Sequence, residues 1–248
     1  MDFHGKVVWV TGASSGIGEA TVKEFASCGA DVVIHYCHHQ EAAINIEKFI
    51  QSHYHVDTLL VQGDISNEED VKRMLNTVLD KFGQIDVLVN NAGIAIDTTF
   101  EDKTVDNFRH TLDVNLIGTF LMAKYVGDVM CKQKMGRIIN IASTNGIDTV
   151  YPESIDYDAS KAGVISLTKN LAIQYAPYVL VNTVAPGWVN TPMNQELDPE
   201  MIRDEEKKIM VGRFASSEEI AHVVVFLASD QASYINASVI RVDGGFYV

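Results

Sequence analysis

The chain has 248 residues, 47% of them hydrophobic and 21% charged, a length usual for one α/β domain and a composition able to fill a large core. Disordered, collagenous and low-complexity proteins are excluded on that ground. Its 19 basic and 33 acidic residues leave a net charge of −14, so neither nucleic acid nor an anionic membrane is expected as a partner.

Short β-branched runs alternate with longer segments of helical period, the pattern of a parallel sheet covered by helices on both faces. The predicted strands are Lys6–Val10, Asp31–Tyr36, Thr58–Gln62, Asp86–Asn90, Gly136–Ala142, Val179–Val184 and Ser238–Val242. Most are nearly continuous apolar runs, as strands buried on both faces require. Between them the predicted helices are Gly16–Ser27, Gln40–Ser52, Glu68–Phe82, Thr104–Cys131, Asp156–Tyr175 and Ser217–Ala228, with Ser66 and Ser216 as N-caps. No linker, composition shift or repeat divides the chain, so residues 1–248 read as one doubly wound α/β domain around a seven-stranded parallel sheet. Residues 190–213 break the rhythm with Pro192, Pro199 and the charged run Arg203–Lys208. This segment follows the sixth strand on the side where ligands bind in such folds, and is expected to be a mobile substrate-covering loop, a solvated surface helix being the alternative.

Cys28, Cys37 and Cys131 stand far apart with no CxxC pair, which fits unpaired thiols in a reducing compartment. The first residues lack the basic and apolar regions of a signal peptide, and the expectation is a cytoplasmic protein. The longest stretch free of Asp, Glu, Lys and Arg, Asn170 to Gln195, holds Pro177, Pro186 and Pro192, which would leave backbone groups unpaired in lipid; no transmembrane helix is expected.

After the first strand comes Thr11-Gly12-Ala13-Ser14-Ser15-Gly16-Ile17-Gly18, then a helix. Glycines at this spacing permit a tight turn, close approach of backbone to a pyrophosphate, and tight packing of helix on strand, so a dinucleotide is expected here. The spacing is not that of a P-loop, and no Gly-Lys-Ser/Thr follows, which disfavours a nucleoside triphosphatase. At the end of the second strand a carboxylate would accept hydrogen bonds from a free 2′-hydroxyl and repel a 2′-phosphate. The strand ends His35-Tyr36-Cys37-His38-His39, without one, so NADP(H) is favoured over NAD(H), with Tyr36 and His38 as contacts. The histidines, His53 and His55 included, show no ligand geometry, and no metal is expected.

Tyr157 and Lys161 lie four apart in a helical segment and so on one face, where an ammonium can lower the phenol pKa toward neutral pH. A phenol made acidic can protonate a carbonyl oxygen. Ser143 lies just past the fifth strand, where its hydroxyl can hydrogen-bond the same oxygen.

With these residues the chain resembles the short-chain dehydrogenase/reductase family, whose fold is of the Rossmann type, over essentially its whole length. The motifs that carry the resemblance are Thr11 to Gly18, Asp64 after the third strand, Asn90-Asn91-Ala92-Gly93 after the fourth, Asn115 in the fourth helix, Ser143, Tyr157 with Lys161, and Pro186-Gly187 after the sixth strand. The resemblance implies a catalytic tetrad of Asn115, Ser143, Tyr157 and Lys161. In it Tyr157 is the acid or base, Ser143 orients the substrate oxygen, Lys161 holds the nicotinamide ribose, and Asn115 anchors a water in a proton relay. It also implies that Gly12, Ser14, Ser15, Gly16, Ile17 and Gly18 serve the pyrophosphate, Asp64 and Ile65 the adenine, and Asn91, Ala92 and Gly93 the ribose region. Tyr157 and Lys161 would meet the cofactor as well, and Pro186, Gly187, Val189 and Thr191 its carboxamide. Hydride transfer between carbonyl and secondary alcohol is the implied chemistry, and a homotetramer the implied assembly.

Within the family the chain is most similar to the 3-oxoacyl-acyl-carrier-protein reductases of fatty acid biosynthesis, through Val114–Phe120, Gly212-Arg213-Phe214, Phe226–Asp230 and Val242–Tyr247. Reduction of 3-oxoacyl groups on acyl carrier protein is therefore expected. The alternatives are a dehydrogenase or reductase of a free sugar, steroid or small ketone and, remotely, a non-catalytic dinucleotide-sensing module. Of the two basic places where those reductases dock the acidic carrier, one offers Lys132 and Lys134, whereas Gln174–Val179 has no basic residue. Residues 145–155, with Asp148, Tyr151 and Glu153, are expected to line the substrate mouth, and their acidity suits a polar or hydroxylated substrate.

Overall fold

The computed structural model describes residues 1–194 and 197–246. Gln195 and Glu196, inside the expected covering loop, Tyr247, the last residue of the final motif, and Val248 lie outside the described residues.

Seven strands, β1 (Val7–Val10), β2 (Asp31–Tyr36), β3 (Thr58–Gln62), β4 (Val87–Asn90), β5 (Gly136–Ile141), β6 (Val179–Pro186) and β7 (Val239–Val242), form one sheet in the order β3-β2-β1-β4-β5-β6-β7. Every pairing is parallel. Alternate side chains of β1 feed different cores: Val8 and Val10 pack with Phe25 and Ile34 on one face, Val7 and Trp9 with Met74 and Leu88 on the other. Burial on both faces is why this strand is apolar throughout. Strand order reverses between β1 and β4, which opens a crevice at the carboxyl edge of the sheet.

The helices are α1 (Gly16–Ser27), α2 (Gln40–His53), α3 (Glu68–Phe82), α4 (Val105–Leu112), α5 (Thr119–Gln133), α6 (Ile155–Tyr175), α7 (Pro199–Lys207) and α8 (Ser217–Ala228). Most strand and helix ends fall within two residues of expectation, but Thr104–Cys131 is not one helix. α4 and α5 are separated by a π-helical turn, Asp113–Gly118. The combined span Val105–Gln133 is long and apolar enough to cross a membrane by length and composition, yet half of its most apolar window is buried in the fold. Asn67, not Ser66, caps α3, its Oδ1 accepting from Glu69 N and Asp70 N at 3.0 and 3.2 Å, because the Ser66 hydroxyl donates to Asp64 Oδ1 at 2.7 Å. Ser216 does cap α8, in a reciprocal capping box with Glu219. The segment 190–213 is not a plain loop: a 3-10 turn, Pro192–Asn194, precedes α7, which Asp198 caps and Pro199 opens.

Candidate active site

The glycine turn lies across the crevice between β1 and α1. Gly12 and Gly16 have φ of +61° and +55°, a backbone region that side chains disfavour. A Cβ on Gly12 would come within 2.8 Å of Ala92 Cα, and one on Gly18 within 2.2 Å of Gly12 O, so backbone fills the space on the inner side of the turn. Asn91 bolts the turn to β4, its Nδ2 donating to Thr11 O and Gly12 O, both at 3.0 Å. Ser15 stands at the N-cap of α1 without a side-chain hydrogen bond to the first-turn amides, whereas α3, α4, α7 and α8 each have one. Uncapped amides at the positive end of a helix dipole, on a turn clear of side chains, fit a pyrophosphate.

A cleft of about 410 Å³ runs along this edge. Seventeen of the residues expected at the cofactor line it, from Gly12, Ser14, Ser15, Gly16 and Ile17 through His38, Asp64, Ile65, Asn91, Ala92 and Gly93 to Tyr157, Lys161, Pro186, Gly187, Val189 and Thr191. Two do not. Gly18 packs behind the turn, and Tyr36, 5% exposed, belongs to the core against α2, because alternation along β2 turns its ring inward.

His35, quoted from the sequence only as part of a strand end, braces this turn. Its Nδ1 accepts from Gly12 N at 3.0 Å and its Nε2 lies 3.0 Å from Gly63 O, so the ring is neutral with its proton on Nε2. Burial pushes its pKa from the ordinary 6.5 down to about 4, the Gly63 carbonyl opposing without prevailing. The unfolded chain therefore takes up a proton below about pH 6.5 that the folded chain refuses down to about pH 4. Stability from this group is complete above that window and falls, by up to about 3 kcal/mol, as the pH drops through it. Urea unfolding across the window should show the loss, and His35→Gln should flatten it.

The four expected catalytic residues come from three different pieces of chain. Asn115 sits in the π turn, buried; its Nδ2 donates to Ile94 O (2.9 Å) and Ser160 Oγ (3.0 Å), and its Oδ1 accepts from Ile94 N (2.8 Å). Both of its donors are thus engaged by protein, and only acceptor positions remain for a water. Ser143, following β5, shares a hydroxyl with Asn145 through two long 3.2 Å contacts. Tyr157 and Lys161 project from the first turns of α6. Lys161 Nζ donates to Ile141 O at 2.9 Å and stands 5.4 Å from the centre of the Tyr157 ring. Burial lowers the Lys161 pKa to about 8.

The expected acidic phenol is not what this chain shows by itself. Burial pushes Tyr157 up to about 12, hydrogen bonding with Ser143 acting in the opposite direction and Asp158 and Asp97 adding to the rise. The reason is depth: an ammonium that is itself desolvated and held by a carbonyl does not offset the loss of water around the phenol.

Tyr157 and Ser143 also line a second cleft, of about 500 Å³, with Asp97, Tyr151, Glu153, Trp188, Met193 and Met201 among its walls. Met201 comes from α7, so the segment expected to cover the substrate does reach this cleft. The first turn of α6 is anchored below it by an ion pair absent from the sequence reading. Lys103 Nζ and Asp156 Oδ1 lie 2.8 Å apart with side chains 4% and 0% exposed, Thr111 Oγ1 donates to Asp156 Oδ2 at 2.7 Å, and Lys103 also donates to Ile96 O. Burial alone would raise the Asp156 pKa, but these donors hold it below the ordinary carboxylate value. Among the described residues no cluster of metal-ligating side chains occurs.

A family model described as enoyl-(acyl carrier protein) reductase matches residues 12–247. The chain is 41% identical over 242 residues to a 3-oxoacyl-[acyl-carrier-protein] reductase of Synechocystis, covering 97% of this chain and 96% of the relative. It is 39% identical to 3beta-hydroxysteroid dehydrogenase 1 of Eggerthella lenta over 98% of this chain and 94% of the relative. A crystal structure of a short-chain type dehydrogenase/reductase from Mycobacterium marinum superposes with a TM-score of 0.93 at 33% identity, covering 98% and 96% of the two chains. The chain belongs to the short-chain dehydrogenase/reductase family of oxidoreductases.

Proposed function

We propose that the chain catalyses the NADPH-dependent reduction of a 3-oxoacyl group carried on acyl carrier protein. The observation that carries this reading is the placing of Ser143 and Tyr157 where the two clefts meet, in a chain 41% identical to a reductase of that name. The residues along the first cleft would hold the dinucleotide: the turn Gly12 to Ile17 at the pyrophosphate, Asp64 and Ile65 at the adenine, Asn91 to Gly93 at the ribose, and Pro186, Gly187, Val189 and Thr191 at the carboxamide. When bound, the dinucleotide supplies the hydride. The protein supplies position and a proton: Ser143 Oγ donates to the substrate oxygen, and the Tyr157 hydroxyl protonates it as charge builds there. Lys161, charged below about pH 8, places a cation beneath that phenol.

Preference for the 2′-phosphate is supported at the end of β2, where His38 lines the cleft and no carboxylate stands. Asp64, the nearby acid, is turned to Ser66, accepting from its N and Oγ at 2.8 and 2.7 Å. Exposed Lys132 and Lys134 at the end of α5 would meet the acidic carrier. A homotetramer is supported by the exposure of Ile117, Phe120 and Ile173 on the π turn, α5 and α6, and a cytoplasmic setting by three free thiols.

A second reading, a free hydroxylated ketone or steroid as substrate, is favoured by Asp97 and Glu153 at the second cleft, which has no Lys or Arg among its described lining residues. Purified protein with NADPH or NADH, offered acetoacetyl groups on acyl carrier protein or coenzyme A and then free ketones, separates the two by loss of reduced-nicotinamide absorbance. Faster loss with NADPH and the carrier-linked thioester is expected; turnover of free ketones alone would replace it with the second reading.

A further inference from the structure

One carboxylate draws together three segments around the second cleft. Glu205, on α7, is only 5% exposed. Its Oε2 accepts from the Tyr151 hydroxyl at 2.6 Å and from the Trp188 indole N–H at 3.1 Å, while its Oε1 accepts from Lys208 Nζ at 2.7 Å. Tyr151 comes from the segment ahead of α6 and Trp188 from the turn after β6. Both line the cleft, as does Met201, one turn earlier on the same helix as Glu205.

The two rings are held from other sides too. Trp188 stacks on Phe214, centroids 5.3 Å apart and planes 8° from parallel, and meets Tyr151 edge-on at 5.7 Å. The Tyr151 backbone N–H donates to Asp158 Oδ2 at 3.2 Å, which ties this wall to the residue next to Tyr157. A carboxylate this deep is unfavourable unless its lone pairs are met, and here three donors meet them. Lys208 is 45% exposed, so its ion pair alone contributes little. The specific contacts are those from the tyrosine and the tryptophan.

We propose that Glu205 is a positioning residue of the substrate cleft: it holds α7 against Tyr151 and Trp188, presets those rings as the wall a substrate meets, and so governs substrate binding rather than the chemical step. The inference rests on reading the cleft beside Tyr157 as the place of the carbonyl substrate. The hydrogen bonds of Glu205 go to Tyr151, Trp188 and Lys208 and not to Ser143 or Tyr157, so its effect must pass through the wall. Hydrogen-bond acceptance, not charge, does the work, and a glutamine, which keeps an oxygen there, preserves the arrangement.

The test compares Glu205→Leu and Glu205→Gln with the unmodified chain. Arg203, Lys207 and Lys208 make α7 a target for trypsin, and Trp188 reports on its surroundings by its emission, while Trp9, fully buried in the sheet, stays constant. Glu205→Leu should speed cleavage at these three residues by about tenfold, the loss of two buried hydrogen bonds, and shift the Trp188 emission to longer wavelength. Glu205→Gln should do neither. With NADPH and acetoacetyl-coenzyme A, Glu205→Leu should raise KM by about tenfold and change kcat by less than about twofold. Unchanged cleavage and emission in Glu205→Leu, an equal disturbance in Glu205→Gln, or a fall in kcat at constant KM would each overturn the proposal. Should the unmodified chain not reduce the thioester, the function proposed above fails, and digestion and emission still decide the role of Glu205. Should Glu205→Leu not fold, Tyr151→Phe removes one of the two donors and must move KM and emission in the same direction by a smaller amount.

Discussion

Tyr157→Phe is expected to lower kcat by about 10²–10⁴-fold, the usual range for a positioned acid or base, with dinucleotide affinity nearly unchanged. The ring that packs along the cleft remains; only the hydroxyl that gives the substrate oxygen its proton is gone. Steady-state kinetics together with fluorescence titration of NADPH would separate the two effects, and retained turnover would remove Tyr157 from the mechanism. The pH dependence has a definite sign. Since burial holds the phenol near 12, it keeps its proton throughout the neutral range and is ready to act as an acid. Reduction should therefore be flat through neutrality and decline only on the alkaline side, beginning near pH 8 where Lys161 loses its charge. Alcohol oxidation, which needs the phenolate, should rise over the same alkaline range.

Breaking the buried pair under α6 should have the largest effect on stability. Lys103→Met leaves the Asp156 carboxylate with no cation in a site that water does not reach, and an unpaired buried charge of this kind costs about 3–5 kcal/mol. Asp156→Leu strands the ammonium in the same way. The double variant Lys103→Met/Asp156→Leu should recover much of the loss, because two apolar side chains of similar volume need no compensation. Denaturant unfolding of all four proteins, treated as a double-mutant cycle, measures the coupling directly. Additive losses would mean that the pair is not a unit.

The parts of this molecule that were legible in the sequence are those set by local spacing. Each central strand is buried on both faces and so reads as an apolar run; the glycine turn and the pair Tyr157 and Lys161 lie within eight and five residues of chain. What escaped is set by depth or by long-range contact. Lys103 meets Asp156 across 53 residues and Tyr151 meets Glu205 across 54, and no periodicity brings such partners together. The role of His35 depends on where β3 ends, because Gly63 O is half of its support. The spacing of Tyr157 and Lys161 showed that they share a face but not how far below water they lie, and that depth reversed the direction of the phenol shift. In residues 190–213 the prolines do not by themselves separate a covering loop from the alternative of a surface helix, and Asp198-Pro199 is a helix start.

The π turn between α4 and α5 has one more consequence. A residue added to a helix advances everything after it by about 100° around the axis, since a turn takes 3.6 residues. A single unbroken helix could point its apolar stripe in only one direction; here α4 lies against α6, while α5 keeps contact with α6 and adds α3 and the sheet. The surplus residue acts as a phase shifter, letting one continuous rod keep α6 as a neighbour along its length while its second half also reaches α3 and the sheet. Asn115 sits at the step itself, so the side chain that clamps Ile94 and Ser160 is aimed by the same offset that sorts the two halves of the rod.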